Sequence, residues 1–382
     1  MPDSGRTYAM MAKPVSSACN LRCAYCYYTG KEALLHQGNG RMSHEVLEAF
    51  IRQNLAMHGR DAVVEFAWHG GEPTLAGLPF YEEAVRLEQK YGAGRRIVNT
   101  LQTNATLLTD EWCRFFRQHA FHIGVSIDGP EELHNAYRKG VNGAGAFEAT
   151  MRGIRLLWQH GVPFATLTTV NRVNMEHPLK VYRFLRGLSD YLQFLPVVEA
   201  LPGELEEEAG QHLATPPGIH ALGLVHPVAP FSVTPAGYGD FLCAIWKAWL
   251  GQDAGRVHVQ LFDVALGHLQ GLPSTLCVHD PLCGHSGCVE ANGDVYACDR
   301  YAFPEYRLGS LLRTPLEELM EKNRSFGMHK TCSLPQDCLD CPYVRLCFGG
   351  CPKDRLSHRK NYLCEGYRRF FARVLADWNE GV

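Results

Sequence analysis

An excess of charge of one sign is missing from this chain of 382 residues. Its 37 lysines and arginines are balanced by 40 aspartates and glutamates, for a formal net charge of -3. That balance leaves no basic footprint, so a nucleic-acid partner is not expected. Long apolar runs are missing too. No window reaches the roughly 18 uninterrupted apolar residues that a membrane helix needs, so no membrane partner is expected either. Residues 1–13 hold no apolar stretch of the kind that forms a secretory signal. No internal repeat or low-complexity tract stands out. What remains is an ordinary globular composition, 46% hydrophobic and 20% charged. The length is great for one domain and comfortable for two, or for one barrel with an appendage.

Cysteine is what the chain has in excess. Fifteen is an odd number, which argues against a closed set of disulfides. With no export signal, a reducing cytoplasm is the expected location, and clustered cysteines there bind metal more often than they pair. Their distribution is uneven. Cys19, Cys23 and Cys26 stand together, only Cys113 and Cys243 follow over a long stretch, and the other ten lie between Cys277 and Cys364.

The first half alternates strand and helix patterns. Residues 8–15, 62–68, 96–102, 122–127, 164–170 and 191–198 are apolar runs of strand length. Between them, residues 45–57, 110–119, 147–160 and 178–188 carry helical periodicity, with Thr109 placed to cap the second helix. Six strands alternating with helices predict a parallel α/β barrel, complete or partial, with chemistry at the carboxyl ends of its strands. Residues 201–235, with Glu204 and the run Glu206-Glu207-Glu208, read as an irregular excursion with a solvated acidic face before a helix at 238–250.

The first cysteines have the spacing C-x3-C-x2-C. Three thiolates hold three irons of a [4Fe–4S] cube and leave the fourth iron open. A structural zinc loop is the alternative, but three cysteines without a close fourth suit zinc poorly. The stretch C-N-L-R-C-A-Y-C resembles the radical S-adenosylmethionine (SAM) superfamily. That resemblance implies that Cys19, Cys23 and Cys26 bind the cluster, that SAM fills the open iron, and that Tyr25 lies near the adenine. It implies further SAM contacts along the strands: Gly70, Gly71 and Glu72 for the amino group, Asn104 in L-Q-T-N, Ser126 at the ribose, Arg138 at a carboxylate or substrate, and Leu195 at the adenine.

The C-terminal cysteines include C-x2-C-x5-C-x3-C from Cys338 to Cys351, then Cys364, with Cys277, Cys283 and Cys298 upstream. This resembles the SPASM extension of radical SAM enzymes. The resemblance implies two auxiliary [4Fe–4S] clusters, one on Cys277, Cys283, Cys298 and Cys351, the other on Cys338, Cys341, Cys347 and Cys364. With four protein ligands each, they carry electrons rather than grip substrate. A zinc ribbon is the alternative, but it leaves the upstream cysteines unexplained. Cys288 and Cys332 exceed the pattern, and Cys113 and Cys243 read as small buried hydrophobes. The expected fold class is α/β: a partial (β/α)6 radical SAM barrel over 1–235, a helical linker over 236–275, and a cysteine-rich SPASM domain with a C-terminal helix over 276–382.

Within that group the chain resembles anaerobic sulfatase-maturating enzymes, through K-P-V-S-S-A-C-N-L-R-C-A-Y-C-Y-Y, H-G-G-E-P-T-L-A-G, G-V-S-I-D-G-P-E-E-L-H, V-E-A-N-G-D-V-Y-A-C-D and C-F-G-G-C-P. The implied reaction oxidises a cysteine or serine of a sulfatase to Cα-formylglycine. A 5′-deoxyadenosyl radical takes a hydrogen atom from the β-carbon, a base takes the thiol or hydroxyl proton, and the auxiliary clusters accept an electron. Asp299, directly after Cys298, is the implied base, and a neighbouring anionic cluster is expected to raise its pKa. Tyr27 is a candidate substrate contact. The implied partners are a sulfatase polypeptide, unfolded or nascent, and a flavodoxin- or ferredoxin-type electron donor. His69 departs from the glutamine usual before G-G-E in this group. The alternative enzyme is a SPASM maturase that crosslinks a ribosomal peptide; the 18 residues before Cys19 leave no room for a leader-binding domain. A non-catalytic iron–sulfur or zinc scaffold would make no use of the open-site trio.

Overall fold

The computed structural model describes residues 9–29, 31–35, 40–204, 207, 213–216, 227–356 and 360–381. Six strands form the expected parallel array: β1 Met10–Ala12, β2 Val63–Trp68, β3 Arg96–Thr103, β4 His122–Ser126, β5 Phe164–Val170 and β6 Tyr191–Pro196, each paired with its neighbour in chain order. Burial alternates along them with the period of two that a strand imposes. Val64, Phe66 and Trp68 are buried against helices, while Glu65 and Ala67 are half-buried on the opposite face, the barrel lumen. The outer layer is aromatic. Trp68 lies edge-on to Phe50, Phe80 and Tyr81, and Tyr81 touches Trp112, at ring-centroid separations of 5.5 to 6.0 Å.

The helices His44–Ala56, Asp110–Gln118, Phe147–Gln159 and Pro178–Leu185 fall where the periodicity places them. Thr109 caps its helix by accepting the Trp112 amide. The helix expected at 238–250 runs over Pro235–Gln252, opened by Thr234. A helix at Leu78–Gly92 went unread, because its stripe of Tyr81, Ala84, Val85 and Leu87 is broken by the buried Glu88. About half of the acidic excursion, Glu206 and Glu208 included, lies outside the described residues; Glu204 and Glu207 are exposed.

The sheet does not stop at six strands. β7, His258–Val259, adds in parallel beside β6. On the other edge β8, Cys288–Val289, lies parallel to β1, followed antiparallel by β9, Asp294–Tyr296, and β10, Arg307–Ser310. The order is β10-β9-β8-β1-β2-β3-β4-β5-β6-β7. The cysteine-rich C-terminal part thus continues the barrel sheet. The C-terminal helix Cys364–Asn379 docks on Pro235–Gln252 through a glycine pair: a Cβ on Gly239 would stand 2.6 Å from Gly366 Cα. Trp246 Nε1 donates to Asp377 Oδ2 across the same seam, at 2.7 Å. Among the described residues, no helix is long and apolar enough to cross a membrane.

Candidate active site

The first cysteine loop follows β1 and is fixed by backbone on two sides. Gly71 N donates to Ser16 O at 2.7 Å and Glu72 N to Ala18 O at 2.9 Å; opposite them, Arg22 N donates to Lys139 O at 2.7 Å and Ala24 N to Tyr137 O at 3.1 Å. Gly71 is obligatory, since a Cβ there would lie 2.1 Å from Ala18 O. Gly70 adopts φ 128°, in the region that favours glycine. With these amides used, the motif has carbonyl oxygens to offer a ligand amino group. Burial pushes the Cys19 thiol up to about 11 and the Cys23 thiol up to about 12, and the neighbouring sulfurs add to both shifts. Such thiols ionise when a metal takes the proton's place.

Around this loop the structure gathers most of the other expected site residues. Glu72 is wholly buried. Its Oε1 accepts from Thr74 N, Thr74 Oγ1 and Thr103 Oγ1, and its Oε2 from Asn104 N alone, so Oε2 keeps a lone pair for a ligand. Asn104 Nδ2 donates to Asn20 Oδ1 at 2.9 Å and approaches Cys19 Sγ at 3.9 Å. Ser126 Oγ accepts from Gln102 Nε2 at 2.9 Å, and Leu195 is half-buried beside Thr169 in register. Arg138 and Tyr25 share a partner that the sequence did not single out. The wholly buried Asp128 accepts from Tyr25 OH and pairs with Arg138 Nε at 3.0 Å. Arg138 also lies over the Tyr25 ring, 5.6 Å from its centroid. S-I-D-G therefore supplies a buried anion as well as a turn.

A second group lies next to the first. Tyr27, the residue after Cys26, donates its hydroxyl to Oδ2 of Asp299, the residue after Cys298, at 2.6 Å. One hydrogen bond thus joins the two cysteine fields across most of the chain. Cys26 and Tyr27 pack on a small cluster of Tyr28, Leu35, Cys288, Tyr296 and Ala302. Lys13 at the end of β1 and His69 at the end of β2 complete the group. Burial alone would raise the Asp299 pKa. Lys13, the Tyr27 hydrogen bond and Arg300 outweigh it and hold the carboxyl well below the usual range. Among the protein's own groups the balance therefore favours the ionised carboxylate, and the upward push expected from a neighbouring cluster would act against it. Burial and Lys13 push His69 down to about 4, so its ring is neutral.

The C-terminal cysteines fall into two sets. Cys277, Cys283, Cys298 and Cys351 influence one another electrostatically. Cys338, Cys341, Cys347 and Cys364 line one cavity of about 270 Å³ with Tyr343, Tyr367 and Phe371. Among the described residues no three of His, Cys, Asp or Glu converge as ligands of a single ion do. Thiolates around a cube each hold a different iron and stand farther apart than those around one zinc. A soft, all-thiolate donor set around a cavity of this size fits an iron–sulfur cluster. Of the surplus cysteines, Cys332 is exposed at a helix end, Cys288 is buried on β8, Cys113 is in the core and Cys243 is half-buried against it. Besides Asp128, sequence reasoning missed Lys13 and Tyr28, whose hydroxyl donates to the buried Glu290. A lysine inside an apolar strand pattern was the available signal for Lys13.

Residues 14–185 match the Radical SAM superfamily, and residues 283–342 match SPASM, an iron–sulfur cluster-binding domain. Fold and site therefore define a radical SAM enzyme with a SPASM domain. Over 376 residues the chain is 43% identical to the serine-type anaerobic sulfatase-maturating enzyme of Bacteroides thetaiotaomicron, across 96% of this chain and 89% of that protein. It is 32% identical to the cysteine-type enzyme of Clostridium perfringens over 377 residues, 95% of each chain. A solved structure described as native anSMEcpe with bound AdoMet and Cp18Cys peptide superposes with a TM-score of 0.82 at 30% identity, over 97% of this chain and 98% of that one. The chain belongs to the anaerobic sulfatase-maturating enzymes.

Proposed function

We propose that this chain oxidises the side chain of a serine or cysteine in a sulfatase polypeptide to Cα-formylglycine. The observation that carries the reading is the Tyr27–Asp299 hydrogen bond, which sets a carboxyl group beside both cysteine fields. The relatives named serine-type and cysteine-type support the two target residues. Cys19, Cys23 and Cys26 would hold an open cluster that with SAM would supply a 5′-deoxyadenosyl radical, and the eight C-terminal cysteines assigned above would hold two closed clusters that would supply electron acceptors. Asp299 takes the hydroxyl or thiol proton, and Tyr27 aims its carboxylate. Asp128 holds Arg138 and Tyr25 in fixed orientation at the edge of the SAM site. Glu72, Gly70, Gly71, Asn104, Ser126 and Leu195 line that site. The division into 1–235, 236–275 and 276–382 follows the same assignment, with electrons exchanged with a flavodoxin- or ferredoxin-type protein.

The test uses anaerobically reconstituted protein and peptides of pattern C-x-P-x-R and S-x-P-x-R. Formylglycine should form on at least one of them, reductive SAM cleavage should vanish in Cys23→Ala, and iron should approach roughly twelve per chain if three cubes assemble. SAM cleavage without formylglycine on either peptide would sink the reading.

A further inference from the structure

Lys13 and His69 stand level on neighbouring strands. β1 and β2 run parallel with Ala12 opposite Trp68, and His69 N donates to Ala12 O at 2.9 Å. Lys13 is wholly buried, yet its Nζ has no hydrogen-bond partner among the described residues. It rests 3.5 Å from the centroid of the Tyr28 ring and 6.0 Å from that of Tyr27. A ring face offers a cation some attraction but fills none of its three N–H donors. A buried donor without an acceptor is unfavourable, so its place in the lumen points to an acceptor that arrives with the substrate. His69 has a fixed tautomer. Gly70 N donates to Nδ1 at 2.8 Å, so Nδ1 carries no proton and the neutral ring holds its hydrogen on Nε2. Asp299 lies within electrostatic reach of both.

We propose that Lys13 Nζ and His69 Nε2–H form a donor pair that holds the oxygen or sulfur of the target side chain while Asp299 takes its proton. The inference rests on the function proposed above. In R–CH2–OH, the β-carbon hydrogen atom goes to the 5′-deoxyadenosyl radical and the hydroxyl proton goes to Asp299. Negative charge is left on the oxygen of a carbon radical, and the donor pair faces it. Closing the carbon–oxygen double bond then releases one electron, for which a cluster held by the C-terminal cysteines would be the acceptor. With a thiol the same steps give a thioaldehyde, which water converts to the aldehyde with release of hydrogen sulfide. Sulfur is a weak acceptor, so the pair favours serine over cysteine.

Lys13→Met keeps the length of the side chain and removes the donors. Removing a preorganised donor to developing charge lowers turnover by about 10²–10³-fold. That loss is expected on the serine peptide, with a smaller one on the cysteine peptide. Deuterium transfer from a β-deuterated peptide into 5′-deoxyadenosine should persist, because hydrogen abstraction precedes the charged step. His69→Leu should lower the serine-to-cysteine ratio of kcat/KM, and His69→Gln, which retains a donor, should restore it. Calorimetric binding should show wild type preferring the serine peptide over its alanine analogue, with the preference lost in both donor-free variants. Equal losses on both peptides, or an unchanged serine-over-alanine preference, would overturn the donor pair. If Lys13→Met takes up less iron than wild type, His69→Leu decides. If wild type oxidises neither peptide, the proposed function falls, and the binding preference still decides whether the pair grips the hydroxyl.

Discussion

The two cysteine fields are built in opposite ways. The first loop is stapled to the ends of β2 and of the helix Glu131–Tyr137 by four backbone hydrogen bonds, and Gly71 packs where no side chain fits. The fold shapes it before any metal arrives. Between Cys338 and Cys351 the second field has only single helical turns, Gln336–Leu339 and Val344–Cys347, and then three successive left-handed residues, Phe348, Gly349 and Gly350 (φ 47°, 70° and 61°). That reversal separates Cys347 from Cys351, the two cysteines that the proposed ligand sets give to different clusters. Phe348 in this conformation is unfavourable by roughly 1 kcal/mol or more. Much of the remaining support is buried cation on carbonyl: Lys330 Nζ donates to Cys277 O at 2.7 Å and Val278 O at 2.9 Å, and Arg355 Nη1 to Lys330 O at 2.9 Å. Where regular structure is this sparse, ligation itself supplies folding free energy. One field is a socket and the other is a staple.

Iron removal should expose that difference most strongly. Chelation under reducing conditions should make residues 336–364 the first to be cut by protease, with residues 9–29 still protected; simultaneous cleavage of both would break the comparison. Next in size is Asp299→Asn, at the bond linking the two fields. Formylglycine formation should drop by about 10²–10⁴-fold, the usual worth of a positioned base, while SAM cleavage continues. Parallel loss of both activities would mean that Asp299 serves the socket. Gly71→Ala should then lower thermal stability and SAM cleavage together, by roughly 1–3 kcal/mol in stability, as overpacking does. A native melting curve would contradict the close approach to Ala18.

An effect of similar size on stability alone lies away from both fields and serves as the control. Burial pushes Glu88 up to about 7, from an ordinary 4.5. Between those values the folded chain keeps a proton that the unfolded chain releases, so this contribution is full below pH 4.5 and fades as pH rises through 7. Glu88→Gln should match wild type near pH 4 and exceed it by about 1–3 kcal/mol at pH 8. Denaturant melts at the two pH values would show it, with cluster content unchanged.

Much of this was legible in the sequence, and the rest failed for physical reasons. β2 to β6 are long enough to carry a period, and helices separate them. β7 and β8 have two residues each and carry none. The hairpin between β8 and β9 did leave a signal in Asn292-Gly293, where Gly293 takes φ 85°. The cysteines were readable because spacing alone announces them. Asp128 was masked by its turn context, and its pairing with Arg138 depends on where two strand ends meet. Lys13 and the His69 tautomer follow from register and burial, which a linear pattern does not encode.

The seam between β1 and β8 has one more consequence. Met11 and Ala12 are hydrogen-bonded into both neighbours, β2 on one side and Cys288–Val289 on the other. The barrel has no natural border at that edge. A chain ending before residue 276 would present the open edge of β1 to solvent, a surface that recruits strands from other molecules. Swapping the C-terminal part for that of a relative would therefore be a graft into a continuous sheet. Its success would hinge on whether the incoming strand fits the register of three residues at the very start of the fold.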